Sequence, residues 1–89
     1  MPDGNVGSYG AVSIGTSAAL VRSGATSRNA LIIQNAHASN TLYLGTDSSV
    51  TTSNGLAVVA GDSILIPTRG DVYGIASGAS TDVRYLDVS

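Results

Sequence analysis

The chain has no cysteine, lysine, glutamate, tryptophan or phenylalanine, and its 89 residues include one histidine, His37, and four arginines. Each absence removes a class of function. Without cysteine there is no disulfide framework and no thiolate to serve as nucleophile or zinc ligand. Without lysine or glutamate, and with a single imidazole, the acids, bases and nucleophiles of most enzymes are missing, so catalysis is not expected. Charged residues make up 11% of the chain, against roughly 25% in an average globular domain, and the net charge is −2. A sequence-independent nucleic-acid binder needs a basic patch, which four scattered arginines do not form. No apolar run approaches the roughly 20 residues that span a bilayer, and Met1 to Gly10 lacks the basic-then-apolar order of a signal peptide. The expectation is a soluble protein made in a cytoplasm, with no nucleic-acid or membrane partner and no metal or cofactor.

What is present is an ordinary share of hydrophobic residues, 43%, and an abundance of Ser, Thr, Asn, Gly and Ala. A domain this small buries only roughly 60–65% of the surface its unfolded chain exposes. Disulfides are excluded and one histidine is a poor start for a structural metal, which leaves association as the remedy for a small core. A homo-oligomer is expected, a trimer first and a dimer next. The neutral surface suits a protein that works inside an assembly.

Residues Met1 to Gly10 contain Pro2, Gly4, Gly7 and Gly10 with few apolar side chains and read as a flexible N-terminal arm. Residues 11–89 read as a single β-domain. Val12 and Ile14 share one face of a first strand, and in a second Leu20 and Arg22 share a face with Val21 on the other. In Asn29 to Asn35, Leu31 and Ile33 face one way and Ile32 and Gln34 the other, as in a central strand. Leu42 and Leu44 point inward and Tyr43 outward in Thr41 to Gly45, which the polar turn Ala36 to Asn40 would join to the preceding strand as a hairpin. After a polar loop, Thr46 to Gly55, come Leu56 to Val59, Ser63 to Pro67, Asp71 to Ser77 and Thr81 to Val88. Asn54-Gly55 is suited to a turn with positive φ, and Pro67 to a strand end or edge. Ser17 to Ser23 is the only stretch that could be recast as a helix, and its flanking glycines leave it too short. About eight short strands with dense turn signals predict an all-β fold, a compact antiparallel β-sandwich or jelly-roll-like barrel.

Sites are scarce. Tyr9, Tyr43, Tyr73 and Tyr85 are the only aromatics, and each combines an apolar body with a polar tip, so they are the candidate partner-binding residues. Semi-buried strand positions are the plain alternative for most of them. Arg69-Gly70-Asp71 spells the integrin-recognition tripeptide but leads straight into a strand, so a structural turn, with Gly70 letting the chain reverse, is the better reading. His37 lacks a paired ligand at short spacing, and solvation in its turn is expected rather than metal binding. No Gly-x-Ser-x-Gly elbow occurs, and Asp47, Asp62 and Asp71 all fall at turns, where local backbone hydrogen bonding explains them.

The phrases Leu31-Ile32-Ile33-Gln34-Asn35, Thr41-Leu42-Tyr43-Leu44-Gly45, Val50-Thr51-Thr52-Ser53-Asn54-Gly55, Gly61-Asp62-Ser63 and Val72-Tyr73-Gly74-Ile75-Ala76 occur here in one order. In this the chain, over Ala11 to Val88, resembles the small β-domain of tailed-bacteriophage virion proteins, found as capsid decoration (cement) proteins and as head- or tail-fibre modules. The resemblance implies a structural protein on the capsid exterior of a virion, made in a bacterial host cytoplasm. Its implied partner is the major capsid protein, whose subunits it would bridge. The alternative it implies is a receptor- or carbohydrate-binding module of a fibre. A domain standing alone behind an arm favours the decoration protein, since a fibre needs a shaft.

Overall fold

Period-two alternation becomes eight β-strands in the computed structural model, which describes residues 8–88. They are β1 (Tyr9–Ile14), β2 (Ala19–Arg22), β3 (Ala30–Asn35), β4 (Leu42–Gly45), β5 (Leu56–Val58), β6 (Ser63–Ile66), β7 (Val72–Ala76) and β8 (Thr81–Val88). Among the described residues there is no helix. All strand pairings are antiparallel, and they make two four-stranded sheets of order β1-β8-β3-β6 and β2-β7-β4-β5. Consecutive strands lie in different sheets except β4 and β5, which pair as a hairpin across the 46–55 loop.

The two sheets enclose one core, as in a β-sandwich. Ile14, Leu31, Ile33 and Val83 enter it from the first sheet and Val21, Leu42, Leu44, Val58, Val72 and Ala76 from the second. Full burial of a side chain such as Leu31 or Ile33 contributes on the order of 2 kcal/mol before ordering costs are counted. The inward and outward faces of β3 and β4 follow the alternation in the sequence. Pro67 lies just beyond β6, an edge strand, where its missing N–H breaks no ladder. Gly61 has φ of +83° at the turn from β5 to β6, a conformation that a Cβ would strain.

Several local expectations are corrected. β3 and β4 are not a hairpin, because β3 is flanked by β6 and β8 and β4 lies in the opposite sheet. The crossing is anchored by buried Asn35, whose Nδ2 donates to the carbonyls of Asn40 (2.8 Å) and Val58 (2.9 Å) while its Oδ1 accepts from His37 N–H (3.1 Å). Asn54 and Gly55 do not adopt positive φ. That turn is closed by Thr51 N–H donating to Asn54 Oδ1 (2.7 Å) and Gly55 N–H donating to Thr51 C=O (2.9 Å), and Gly55 lies against Tyr43 and Val50. The strand register slips between Leu20 and Arg22, and this bulge turns Arg22 onto the inner side, away from the face of Leu20. The expected arm overlaps β1: Tyr9 and Gly10 pair with Leu86 and Tyr85, and residues 1–7 lie outside the described residues.

Candidate docking face

The register of three strand pairs aligns four apolar side chains into one row. Tyr9 on β1 is opposite Leu86 on β8, Leu86 opposite Ile32 on β3, and Ile32 opposite Leu65 on β6, so the row crosses the whole sheet on its outer face. Tyr9 is 82% exposed, Leu65 57% and Leu86 45%, with Ile32 half-buried between its neighbours. The next row, Ala11, Arg84, Gln34 and Ser63, is polar or small. Arg84 donates to Asp82 at 2.9 Å on the same strand, so the principal charges of this face neutralise each other. Ile32, Gln34, Ser63, Arg84 and Leu86 border a shallow depression of about 280 Å³. Exposed apolar side chains gathered on one face, rather than scattered, make this row a candidate interaction surface.

The four tyrosines do not form one site. Tyr9 ends the apolar row. Tyr43 and Tyr73 are half-buried diagonal neighbours on the outer face of the other sheet, where Tyr73 is opposite Leu20 and Tyr43 opposite Ile75 and Ala57. Tyr85 packs against the core with the Arg22 guanidinium 4.8 Å from its ring centre, a cation–π contact that joins the sheets.

Beside Tyr85 lies a polar cluster centred on Arg28, which is 1% exposed. Arg28 donates to the carbonyls of Thr68 (3.1 Å), Ser23 (3.0 Å) and Gly70 (2.6 Å) and to Asp87 Oδ1 (3.4 Å). Arg22 reaches the same carboxylate through Nε (3.2 Å) and Nη2 (2.6 Å). These arginines, hydrogen-bonding Arg22 foremost, hold the Asp87 carboxyl below the usual carboxylate range against the opposing effect of burial. Arg69 donates to the Arg28 carbonyl (3.1 Å) and to Asn29 (3.2 Å), and Asp71 accepts the Gly24 N–H (2.6 Å). All three residues of the Arg69-Gly70-Asp71 tripeptide are therefore bonded into the β6–β7 connection and its neighbours. Gly70 has no positive φ, and a Cβ there would meet only Thr68 Oγ1 at 3.6 Å. The constrained glycine is Gly24, whose Cβ would lie 2.8 Å from the Arg69 carbonyl oxygen.

His37 Nδ1 accepts the backbone N–H groups of Ser39 (3.0 Å) and Asn40 (2.9 Å), so its lone pair is spent on the turn. Asp47 accepts from the backbone and hydroxyl of Ser49, which hold its carboxyl low. Among the described residues no three His, Asp, Glu or Cys side chains are grouped as a metal site would need.

Sequence reasoning placed Tyr9 among the candidate partner-binding residues and Ile32 on an outward strand position, but did not show the row. Apolar residues at outward strand positions are the available signal. Their alignment depends on pairings between strands far apart in the chain. Arg28 left no local signal, since most of its partners, Thr68, Gly70 and Asp87, come from segments far along the chain. Comparison with family models, with curated proteins and with solved structures finds no match to this chain.

Proposed function

We propose that this is a structural virion protein of the decoration, or cement, type, which binds the outer surface of a capsid shell and bridges neighbouring capsid subunits. The observation that carries the reading is the uncharged apolar row Tyr9, Leu86, Ile32 and Leu65 on a face where, among the described residues, Arg84 is paired internally with Asp82. A face of this kind fits a neutral protein surface, where many short-range contacts act together without ion pairs or long-range steering.

The strand order adds support at the level of the fold. The pairings β1·β8, β2·β7, β3·β6 and β4·β5 are those of one long antiparallel ribbon folded at the 46–55 loop, and β3·β8 and β4·β7 arise when that ribbon rolls up. This pattern supports reading the sandwich as a jelly roll, an architecture that recurs in viral capsid and lectin domains. The resemblance of the sequence phrases to phage virion modules points the same way. A carbohydrate-binding role has less behind it, because stacking on sugars calls for clustered exposed aromatics and only Tyr9 is largely exposed.

The test is co-sedimentation with empty expanded shells at low and high salt, against unassembled capsid subunits. Binding to shells should be nearly insensitive to salt and much tighter than to subunits. Steep salt dependence, or equal affinity for free subunits, would defeat the proposal.

A further inference from the structure

The two sheets have four edge strands, and three of them carry devices that discourage further pairing. β2 has four residues, a bulge and Arg22; β5 has only three residues; β6 has four and runs into Pro67. β1 differs. Its six residues, Tyr-Gly-Ala-Val-Ser-Ile, include no charge and no proline, and its register with β8 is unbroken from Tyr9 to Ile14.

The ladder also shows which backbone groups of β1 point off the edge. Asp87 N–H donates to the Ser8 carbonyl at 2.8 Å, which makes Ser8 and Asp87 a hydrogen-bonded pair. Antiparallel ladders alternate, so Gly10, Val12 and Ile14 also bond β8, while Tyr9, Ala11 and Ser13 direct their N–H and C=O groups outward. Among the described residues no strand pairs with that side.

We propose that β1 is the self-association surface of this protein: the β1 edges of two copies pair antiparallel about a two-fold axis and join two sheets into one of eight strands. A second copy is the occupant because the edge is complementary to itself. With Ala11 opposite the second copy's Ala11, Tyr9 falls opposite the second copy's Ser13, and all outward groups of these three residues find partners. No other register of the described strand pairs them all. The arrangement sets the largest exposed side chain, Tyr9, across from a small one, and the absence of charge on β1 removes like-charge repulsion at the two-fold. Both apolar rows then lie on the same side of the joined sheet. The expected product is a dimer rather than the trimer placed first from composition. A single strand pair buries less than the roughly 800 Å² per partner of a typical stable complex, so the dimer is reversible.

The inference stands apart from the capsid reading, and its test needs only the isolated full-length chain. Sedimentation over a concentration series should show monomer and dimer in equilibrium. Ala11→Pro removes two hydrogen bonds at the two-fold but none to β8, so it should raise the dimer dissociation constant roughly thirtyfold while the circular dichroism stays unchanged. The chain lacks cysteine, so single cysteines report the register cleanly. Ala11→Cys should form a disulfide dimer on mild oxidation, because directly opposite residues lie within bonding range. Ser13→Cys alone should not, since the two copies of residue 13 are offset by four residues, ~13 Å. A mixture of Tyr9→Cys and Ser13→Cys chains should cross-link. Monomer throughout the series overturns the proposal. So does Ser13→Cys cross-linking as readily as Ala11→Cys.

Discussion

Arg28 is buried with its charge, and a buried guanidinium is tolerable only where its N–H groups are met. Three carbonyls and the shared Asp87 meet them, and the cluster ties the 23–29 and 67–71 connections to β8. Removing the carboxylate leaves Arg22 and Arg28 uncompensated, so Asp87→Asn should cost about 3 kcal/mol in denaturant unfolding. The pH dependence follows from the lowered Asp87 carboxyl. Its stabilising contribution is complete above the unfolded-state range and fades as the pH falls through about 4 and below, where the folded protein must take up the proton. Wild-type stability should fall on this acid limb, and Asp87→Asn should show a flatter one. The two glycines near the tripeptide give a second comparison. Gly24→Ala pushes a methyl against the Arg69 backbone and should cost about 1–3 kcal/mol, whereas Gly70→Ala, with open space, should change stability by under about 0.5 kcal/mol. Equal costs at the two positions would show that the turn is held differently.

At the scale of elements, the connections matter as much as the strands. The β5–β6 turn needs Gly61 at φ +83°, and the β7–β8 turn holds Ser80 at φ +58°, where a side chain is strained. Opposite outcomes are therefore expected in thermal unfolding: Gly61→Ala should destabilise by about 1 kcal/mol, and Ser80→Gly should be neutral or gain up to about 1 kcal/mol. The outer face of the β1-β8-β3-β6 sheet gives a separate test. Leu86 and Leu65 are exposed, so Leu86→Asp or Leu65→Asp should leave the fold intact by circular dichroism. On the capsid reading, each should weaken co-sedimentation with shells at least tenfold, because a buried unpaired carboxylate in a neutral interface is costly. Shell binding unchanged in both variants would move the interface elsewhere.

For the molecule as a whole, nearly all the strand pairing is long-range. β1 near one end of the chain pairs with β8 at the other, and only β4 and β5 are joined as a hairpin. Loop closure must precede those contacts, so refolding is expected on the millisecond-to-second scale in a single cooperative phase, measured by stopped-flow dilution from denaturant. Microsecond folding would be inconsistent with this topology. The same closure joins the fold to its surface, since the apolar row exists only once β1, β8, β3 and β6 stand side by side.

How much of this was legible in the sequence differs between levels for a physical reason. Alternation reports which side chains face the core, because the side-chain period of a strand is set by its own backbone. Hence the eight strands, the inward Leu31 and Ile33, and Pro67 at a strand end could be read along the chain. The choice of strand partner is not a local property. Alternation is the same whether Leu42 to Gly45 pairs with β3 or with β7, and this is why the expected β3–β4 hairpin gave way to a crossing between sheets. The bulge that turns Arg22 inward, the burial of Arg28 and the row from Tyr9 to Leu65 all depend on contacts between distant segments. Composition alone determined that the chain would be weakly charged and poor in catalytic groups, because those follow from residue types, and alternation with turn signals that it would be β-rich. Only the tertiary structure decided which uncharged residues share a face and which strands form the sheet edges, because both follow from pairing between strands that the chain brings together last.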